Sequence, residues 1–319
     1  MLRSPVVSVV MPVYNCERYV AKAVESILAQ TFADFEFLII DDGSSDESPA
    51  IMRRYQELDS RIRFSQRPHE NGNYVTALNH LIEMARGEFI ARMDADDISS
   101  PERFDRQVAY LRAHPKVVAV SSRILCVDNE LCPIREMCTE ETHERIDEAH
   151  MRAEPGQMSH PAAMIRTDAI RRVNGYRADY CSAEDFDLWL RLAEIGSLAN
   201  LPEVLLTWRL HGQSVGATRH AIQQSIVQQA VRDARLRRGL PVATLQDAPV
   251  AAASPTRTSE VFCKWGWWAL QAGHLRTAKK YALLTLKKEP FSVASWRLLY
   301  CLLRAYRSGT RSAGTSSGR

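Results

Sequence analysis

The chain has 319 residues, 45% hydrophobic and 25% charged, a composition that supports one large core or two moderate ones and excludes disordered and fibrous classes. Its 41 basic and 38 acidic side chains sum to +3, but the two signs are segregated. Residues 257–319 hold 12 Lys and Arg against 2 Asp and Glu, leaving 29 against 36 over residues 1–256, so an acidic body carries a basic segment. Seven cysteines, with no C-x-x-C pair and no His interleaved among Cys126, Cys132 and Cys138, argue against a disulfide framework and a structural metal site. Reduced thiols in a cytoplasmic protein are expected.

Val6 to Val10 is apolar, but Pro12 and Asn15 follow with no small-residue cleavage site, so the segment reads as a first strand and not as a signal peptide. No stretch reaches the roughly 18 to 20 apolar residues of a membrane span, so the expectation is a soluble or peripheral protein. From there apolar β-branched runs alternate with helical patterns. The spacing predicts strands at Val6–Met11, Phe35–Ile40, Ile62–Ser65 and Glu88–Met93, and helices at Glu17–Gln30, Glu47–Leu58 and Tyr74–Ala85. Such alternation gives a mostly parallel sheet flanked by helices, an α/β Rossmann-like architecture whose ligands sit beyond the carboxyl ends of the strands. A helix at Pro101–Ala113 and a strand at Val117–Val127 follow, and the pattern weakens between Asp128 and Gln157. A strand near Ala162–Ile165, a helix at Ala183–Ile195 and a strand near Val204–Arg209 complete the body.

The expected organisation is a catalytic domain over residues 1–238 and an Ala/Pro/Thr-rich linker over 239–259. A helical appendage over 260–307 and a disordered tail over 308–319 follow. Within the appendage, Gly273, Ala278, Ala282 and Pro290, with Trp267 and Leu270 upstream, fall at the spacings of a tetratricopeptide unit. Stacked units need about three copies for stability, so a helical hairpin is the better description.

Acidic turns close the second and fourth strands: Asp41-Asp42-Gly43-Ser44-Ser45-Asp46 and Asp94-Ala95-Asp96-Asp97. Local structure accounts for part of them. Ser44 with Glu47, and Ser99 with Glu102, fit capping boxes, although Pro101 also allows Ser100 as the cap. Asp41, Asp42, Asp94 and Asp96 remain, four carboxylates converging on one sheet edge where they repel unless donors or a cation neutralise them. Hard oxygen ligands of this kind suit Mg²⁺ or Mn²⁺.

Four runs in order resemble family 2 of the glycosyltransferases, inverting nucleotide-sugar enzymes of GT-A fold. They are Val9-Val10-Met11-Pro12-Val13-Tyr14-Asn15, Asp41-Asp42-Gly43-Ser44, Ala91-Arg92-Met93-Asp94-Ala95-Asp96-Asp97, and Ala183-Glu184-Asp185 with Leu188-Trp189-Leu190-Arg191. The resemblance covers roughly Ser4 to Gly216, about two thirds of the chain. It implies that Pro12 and Tyr14 pack the nucleotide base, that Asp42 accepts from the base N–H, and that Asp41 shares that work or orients it. Asp94 is assigned to the ribose or a metal-bound water, and Asp96 to the Mn²⁺ or Mg²⁺ that bridges the diphosphate. Asp97 fits a turn residue equally well.

The acceptor hydroxyl must lose its proton as it attacks, and Asp185 in the Glu184-Asp185 motif is the expected base. Acids in the first turn of a helix are also what its dipole favours, and Asp187 is a third example there. Trp208-Arg209-Leu210-His211 resembles the non-processive members, which assigns His211 to the metal or diphosphate and Arg209 to phosphate. Glu184 is a further phosphate or acceptor contact, while His160 reads at least as well as an ordinary core histidine. The Gln-x-x-Arg-Trp run of processive synthases is absent, so transfer of one sugar per encounter is expected.

The resemblance thus implies transfer of one sugar, from a nucleotide donor such as a UDP-sugar, to a hydroxyl of a glycan or lipid-linked acceptor in surface polysaccharide biosynthesis. The alternatives are a catalytically inactive nucleotide-sugar-binding scaffold working through its basic tail, and a haloacid dehalogenase-type phosphatase. The phosphatase reading is weakened by the late Asp94-x-Asp96 and by Ile98 where Thr or Val is expected. In the appendage, Trp265, Trp267, Trp268 and Trp296 stand beside Lys and Arg, which suits either an anionic membrane surface at the inner face or a small helical core with a solvated basic face. No nucleic-acid module is present.

Overall fold

The structure, a computed structural model, describes residues 4–69, 74–210, 220–242 and 258–313. Its first half follows the β-branched runs: strands β1 (Val7–Val13), β2 (Phe35–Asp41), β3 (Ile62–Gln66) and β4 (Phe89–Arg92) alternate with helices α1 (Val20–Leu28), α2 (Ser48–Leu58) and α3 (Tyr74–Met84). β1 runs parallel to β2 and β4, and β2 parallel to β3. Every residue of β2 is buried, as expected for a parallel strand covered on both faces.

Next come β5 (Ile98–Ser99), α4 (Arg103–Ala113), β6 (Val117–Val127), β7 (Pro133–Met137), α5 (His143–Met151), β8 (Met164–Arg166), α6 (Thr167–Arg172), α7 (Glu184–Ala193) and β9 (Ser197–Arg209). The remaining helices are α8 (His220–Arg237), α9 (Thr258–Gln271), α10 (Leu275–Lys288) and α11 (Val293–Ala313). The sheet order is β3-β2-β1-β4-β8-β6-β9-β5, with β7 paired to β6. β8 is antiparallel to both β4 and β6, and β5 to β9, so the parallel half ends at β4. The sheet changes direction beside the strand that delivers the Asp94-x-Asp96 turn.

Several elements differ from the sequence reading. The weak stretch 128–157 contains β7 and α5, β9 begins at Ser197 and not near Val204, and α6 and α8 were not expected. Neither capping box forms. Ser44 Oγ accepts from Asn15 N at 2.9 Å and Glu47 N donates to Glu17 Oε2 at 3.0 Å, so these groups join the β1–α1 loop to the β2–α2 loop. α4 starts at Arg103, with Ser100 Oγ donating to Glu102 Oε2 and not to the helix end.

The chain divides into two units. The first comprises Met1–Ile124, Met137–Trp208 and Arg219–Ala251. In it α7 is buried nearly all round: Leu188, Trp189 and Leu192 join the cluster of Leu38, Leu78, Leu81 and Ile165, while Phe186 and Leu190 pack against Val227, Val231 and Ala234 of α8. This fixes where its first turn, Glu184-Asp185, can point.

The second unit comprises Leu125–Glu136, Arg209–Thr218 and Ala252–Arg319. Gly273, at φ 81°, ends α9 with the paired bonds Gly273 N to Leu270 O and His274 N to Ala269 O, a Schellman turn in which a residue with a Cβ would be strained. α9, α10 and α11 close on Ala269, Ala278, Ala282, Leu298 and Leu302. Asp128 accepts from Lys280 Nζ at 2.6 Å and Tyr281 Oη at 2.8 Å, and the Arg135 guanidinium lies 3.7 Å from the Trp268 ring centroid. Trp265 packs edge-on against Tyr281, and Trp267 lines the helical cluster. Three of the appendage's four tryptophans thus serve the unit's own packing, in line with the helical-core alternative for those three. Most of the 239–259 linker expectation lies outside the described residues, and α11 runs through Ala313, past the expected start of a tail at Ser308.

Candidate active site

The carboxyl ends of β1, β2 and β3 build the first part of the site. Pro12 is the penultimate residue of β1, and Tyr14 just beyond the strand stacks on His69 with ring centroids 4.3 Å apart and planes 12° from parallel. Asp41 is buried, and its Oδ2 accepts from Ser44 N at 3.2 Å and Gln66 Nε2 at 3.3 Å. Its Oδ1 is buried without a hydrogen-bond partner among the described residues. Asp42 takes Arg67 Nε on Oδ1 at 2.5 Å and lies 3.3 Å from His69 Nδ1 through Oδ2. A cavity of about 480 Å³ adjoins this point, lined by Gln66, Arg67, Thr76 and Asn79 among others. The arrangement sets carboxylate acceptors beside a flat stacked pair, a combination that accommodates a planar ring bearing N–H donors.

β4 delivers the second part. The Asp94-Ala95-Asp96-Asp97 turn closes with Asp97 N donating to Asp94 O, and the carboxylate oxygens of Asp94, Asp96 and Asp97 lie within 4.8 Å of one another. Asp94 pairs with buried Arg92. Asp97 is buried and sits in the field of the Arg92 and Arg103 guanidiniums, so it balances two interior cations. Arg103 donates through Nη2 to Arg92 O at 2.8 Å and Ala163 O at 3.1 Å. Burial and the charge of Arg92 press its pKa down to about 9. Cys16 of the β1–α1 loop lies in the same acidic field: burial, then the charges of Asp96 and Asp94, push its thiol up to about 12. Of the two ways expected to relieve the four carboxylates, donors serve one pair: Gln66 and the Ser44 amide bond Asp41 through Oδ2, and Arg67 bonds Asp42. The group with metal-ligand spacing among the described residues is Asp94, Asp96 and Asp97. That all-oxygen donor set fits Mg²⁺ or Mn²⁺.

α7 supplies the third part. Glu184 is buried and its Oε2 accepts from Tyr74 Oη at 2.6 Å and Ser182 N at 3.1 Å. Burial, with Asp185 alongside, pushes its carboxyl up to about 7. Asp185 is half-buried, accepts from Phe186 N at 2.7 Å, and is raised above the ordinary carboxylate range by burial. Arg92 pulls it down and Asp94 pushes it up, which places the end of α7 and the β4 turn within each other's field.

Asp187, the third acid of that turn, is fully buried between Arg177 and Arg191 and is structural. His160 bonds Tyr176 Oη through Nε2 at 2.6 Å, and burial with the Arg92 charge holds its pKa well below the usual histidine range. It is a core histidine. Arg209 belongs to the second unit, where it is buried and donates to Asn129 O at 3.2 Å. The expectation for His211 lies outside the described residues.

Arg67, His69, Tyr74, Arg92 and Arg103 were not singled out from sequence. Arg67 and His69 carry a faint signal, a basic and an aromatic residue just beyond a strand's carboxyl end. The buried arginines carry none, because only the packed neighbours reveal their role.

The family model for glycosyl transferase family 2 matches residues 8–173. The O-antigen biosynthesis glycosyltransferase WbnJ of Escherichia coli is 33% identical over 213 residues, 65% of this chain and 81% of the relative. Among solved structures, S. aureus TarS in complex with UDP superposes with a TM-score of 0.53 at 18% identity, covering 95% of this chain and 91% of that one. The mannosyltransferase PcManGT of Pyrobaculum calidifontis, in complex with GDP-Man and Mn²⁺, gives 0.54 at 16%, covering 99% and 89%. These two likenesses speak to the fold.

Proposed function

The chain belongs to glycosyl transferase family 2 and is a glycosyltransferase, and from that premise we propose that it moves one sugar from a UDP-sugar to a hydroxyl of a glycan or lipid-linked acceptor, with inversion, in the assembly of a surface polysaccharide. WbnJ, named for O-antigen biosynthesis, supports the product class. Tyr14 and His69 give the base a stacking face, Asp42 accepts its N–H, and Pro12 and Asp41 shape the floor. Arg67, by holding Asp42, fixes the direction of that acceptor. Asp94 faces the ribose side, and Asp96, with Asp94 and Asp97, would hold a Mn²⁺ or Mg²⁺ ion. When bound, such an ion supplies Lewis-acid stabilisation of the charge that develops on the departing diphosphate.

Asp185 takes the proton of the attacking hydroxyl, and Glu184 beside it keeps the acceptor side polar. A carboxyl that titrates near 4 in water makes a weak base; burial raises both members of the pair above that range, Glu184 to about 7, and so strengthens them as bases. The observation that carries the reading is the mutual field of Asp185 and Asp94, which unites a base motif and an acidic turn about ninety residues apart. Among the described residues no helix is long and apolar enough to cross a membrane, which fits a cytoplasmic protein acting at the membrane's inner face.

Thermal shift with a panel of nucleotide sugars, with and without Mn²⁺, tests the reading. A UDP-sugar at 100 times its dissociation constant adds about 2.7 kcal/mol and raises the melting temperature only when Mn²⁺ is present. A panel in which no nucleotide sugar shifts the midpoint overturns it.

A further inference from the structure

Helix α11 carries two apolar faces, and among the described residues only one is packed against other helices. Ser295, Leu298 and Leu302 turn into the cluster shared with α9 and α10. The opposite face presents Val293 (82% exposed), Trp296 (56%), Tyr300 (60%) and Leu303 (53%), and Phe291 at the turn before it is 96% exposed. These positions repeat at steps of three and four residues, so they form one stripe along the helix. A contiguous exposed apolar stripe of this kind marks an interaction surface.

Charge says what covers it. Residues 290–319 contain five arginines and no Asp or Glu. Arg297 is exposed and falls beside the stripe on the helical wheel, and the Arg304 guanidinium lies 5.9 Å from the Tyr300 ring centroid. A second copy docking through this face would bring arginine rows together, whereas an anionic surface would be drawn to them. The Trp296 indole N–H is already given to Pro290 O at 2.7 Å, so its ring can enter an apolar medium without stranding a donor. The helix is amphipathic and unable to span a bilayer, the profile of an element that lies in the membrane interface.

We propose that the outer face of α11, with Phe291, is a membrane-docking surface that inserts Phe291, Val293, Trp296, Tyr300 and Leu303 into the headgroup boundary of an anionic bilayer while arginines contact lipid phosphate. It sharpens the expected basic appendage to one helix face, since Trp265, Trp267 and Trp268 are engaged internally. It is independent of the donor and metal assignments.

Flotation of the full chain tests it, using phosphatidylcholine vesicles with about one third phosphatidylglycerol against pure phosphatidylcholine, at roughly 0.1 M and 0.5 M salt. The expected result is binding to the anionic vesicles, weakened by salt. W296S/Y300S/L303S reduces partitioning by about tenfold or more, and R297Q/R304Q by about fivefold per arginine, with the salt dependence flattened. The substituted side chains are exposed, and a melting midpoint equal to that of the parent protein establishes that each variant is folded. If the triple variant melts early, the arginine pair carries the test alone. Equal binding to neutral vesicles, or undiminished binding of a folded variant, overturns the proposal. So does a concentration-dependent dimer abolished by the triple variant without vesicle binding, which assigns the stripe to a second copy. Nucleotide-sugar thermal shifts on the same preparations report the donor site separately.

Discussion

The Tyr74 hydroxyl donates to Glu184 Oε2 at 2.6 Å, joining the start of α3 to the start of α7 across 110 residues of chain. The bond favours the ionised carboxylate, yet burial dominates and the group titrates near 7. Asp185 beside it is also raised by burial, so the two carboxyls titrate as a coupled pair.

A pH signature follows. The folded state binds the Glu184 proton more tightly than the unfolded chain, whose carboxyl has its ordinary value of 4.5. The stability this adds is fully present below about pH 4.5 and is lost as pH rises through about 7. Between pH 5 and pH 8 the parent protein should lose melting temperature, and Glu184→Gln should lose markedly less. Tyr74→Phe removes a donor that favours ionisation, so its transition should move to higher pH. Parallel melting curves for parent and Glu184→Gln across that range would remove Glu184 from the titration.

Asp185→Asn should cut transfer by about 10² to 10⁴ while nucleotide-sugar binding stays nearly intact, the usual range for loss of a general base. Asp187→Asn provides the contrast. It removes the partner of two arginines, so its effect should be on folding, with about 3 kcal/mol lost in denaturant titration. Near-normal transfer by a folded Asp185→Asn enzyme would move the base to Glu184.

Asp96→Asn should abolish the Mn²⁺-dependent part of the nucleotide-sugar thermal shift and leave the metal-free midpoint within about 0.5 kcal/mol of the parent, because the side chain is only partly buried. Isothermal titration with Mn²⁺ and UDP reads this directly. An unchanged Mn²⁺ response removes Asp96 from the metal site.

Gly266 marks the close approach of α9 to its neighbours: a Cβ there would stand 2.5 Å from Leu298 Cδ2 and 3.3 Å from Tyr281 Cβ. Leu298 is fully buried and has little room to yield. Gly266→Val should destabilise the helical unit by about 1 to 3 kcal/mol, the range for overpacking, without altering nucleotide-sugar affinity. Calorimetry with and without donor separates the two effects.

The first four strands were legible because a parallel strand buried on both faces must be a nearly unbroken apolar run, as β2 is from Phe35 to Ile40. The acidic turns were legible because carboxylates clustered after strands have little local use. What the sequence hid was partnership. Ser44 and Glu47 have capping-box spacing, but Asn15 and Glu17 from another loop take their hydrogen bonds. Asp187 and Asp185 look alike in a helix's first turn, and only Arg177 and Arg191 tell the structural acid from its neighbour. α8 escaped notice because its buried positions Val227, Ala230, Val231 and Ala234 stand among Gln and Arg.

Arg103 gives the acidic turn an anchorage that loading would not disturb. Its guanidinium grips the main-chain oxygens of Arg92 and Ala163, one on each side of the point where the sheet reverses. Neither oxygen belongs to a group assigned to nucleotide or metal, so binding and release can cycle with the turn held in one place. A lysine there could still reach the two oxygens from one nitrogen, but it would lack the Nε–H that Arg103 gives to Gln107 Oε1 at 3.1 Å, and with it the brace to a side chain whose own Nε2 bonds Ala162 O at 2.7 Å.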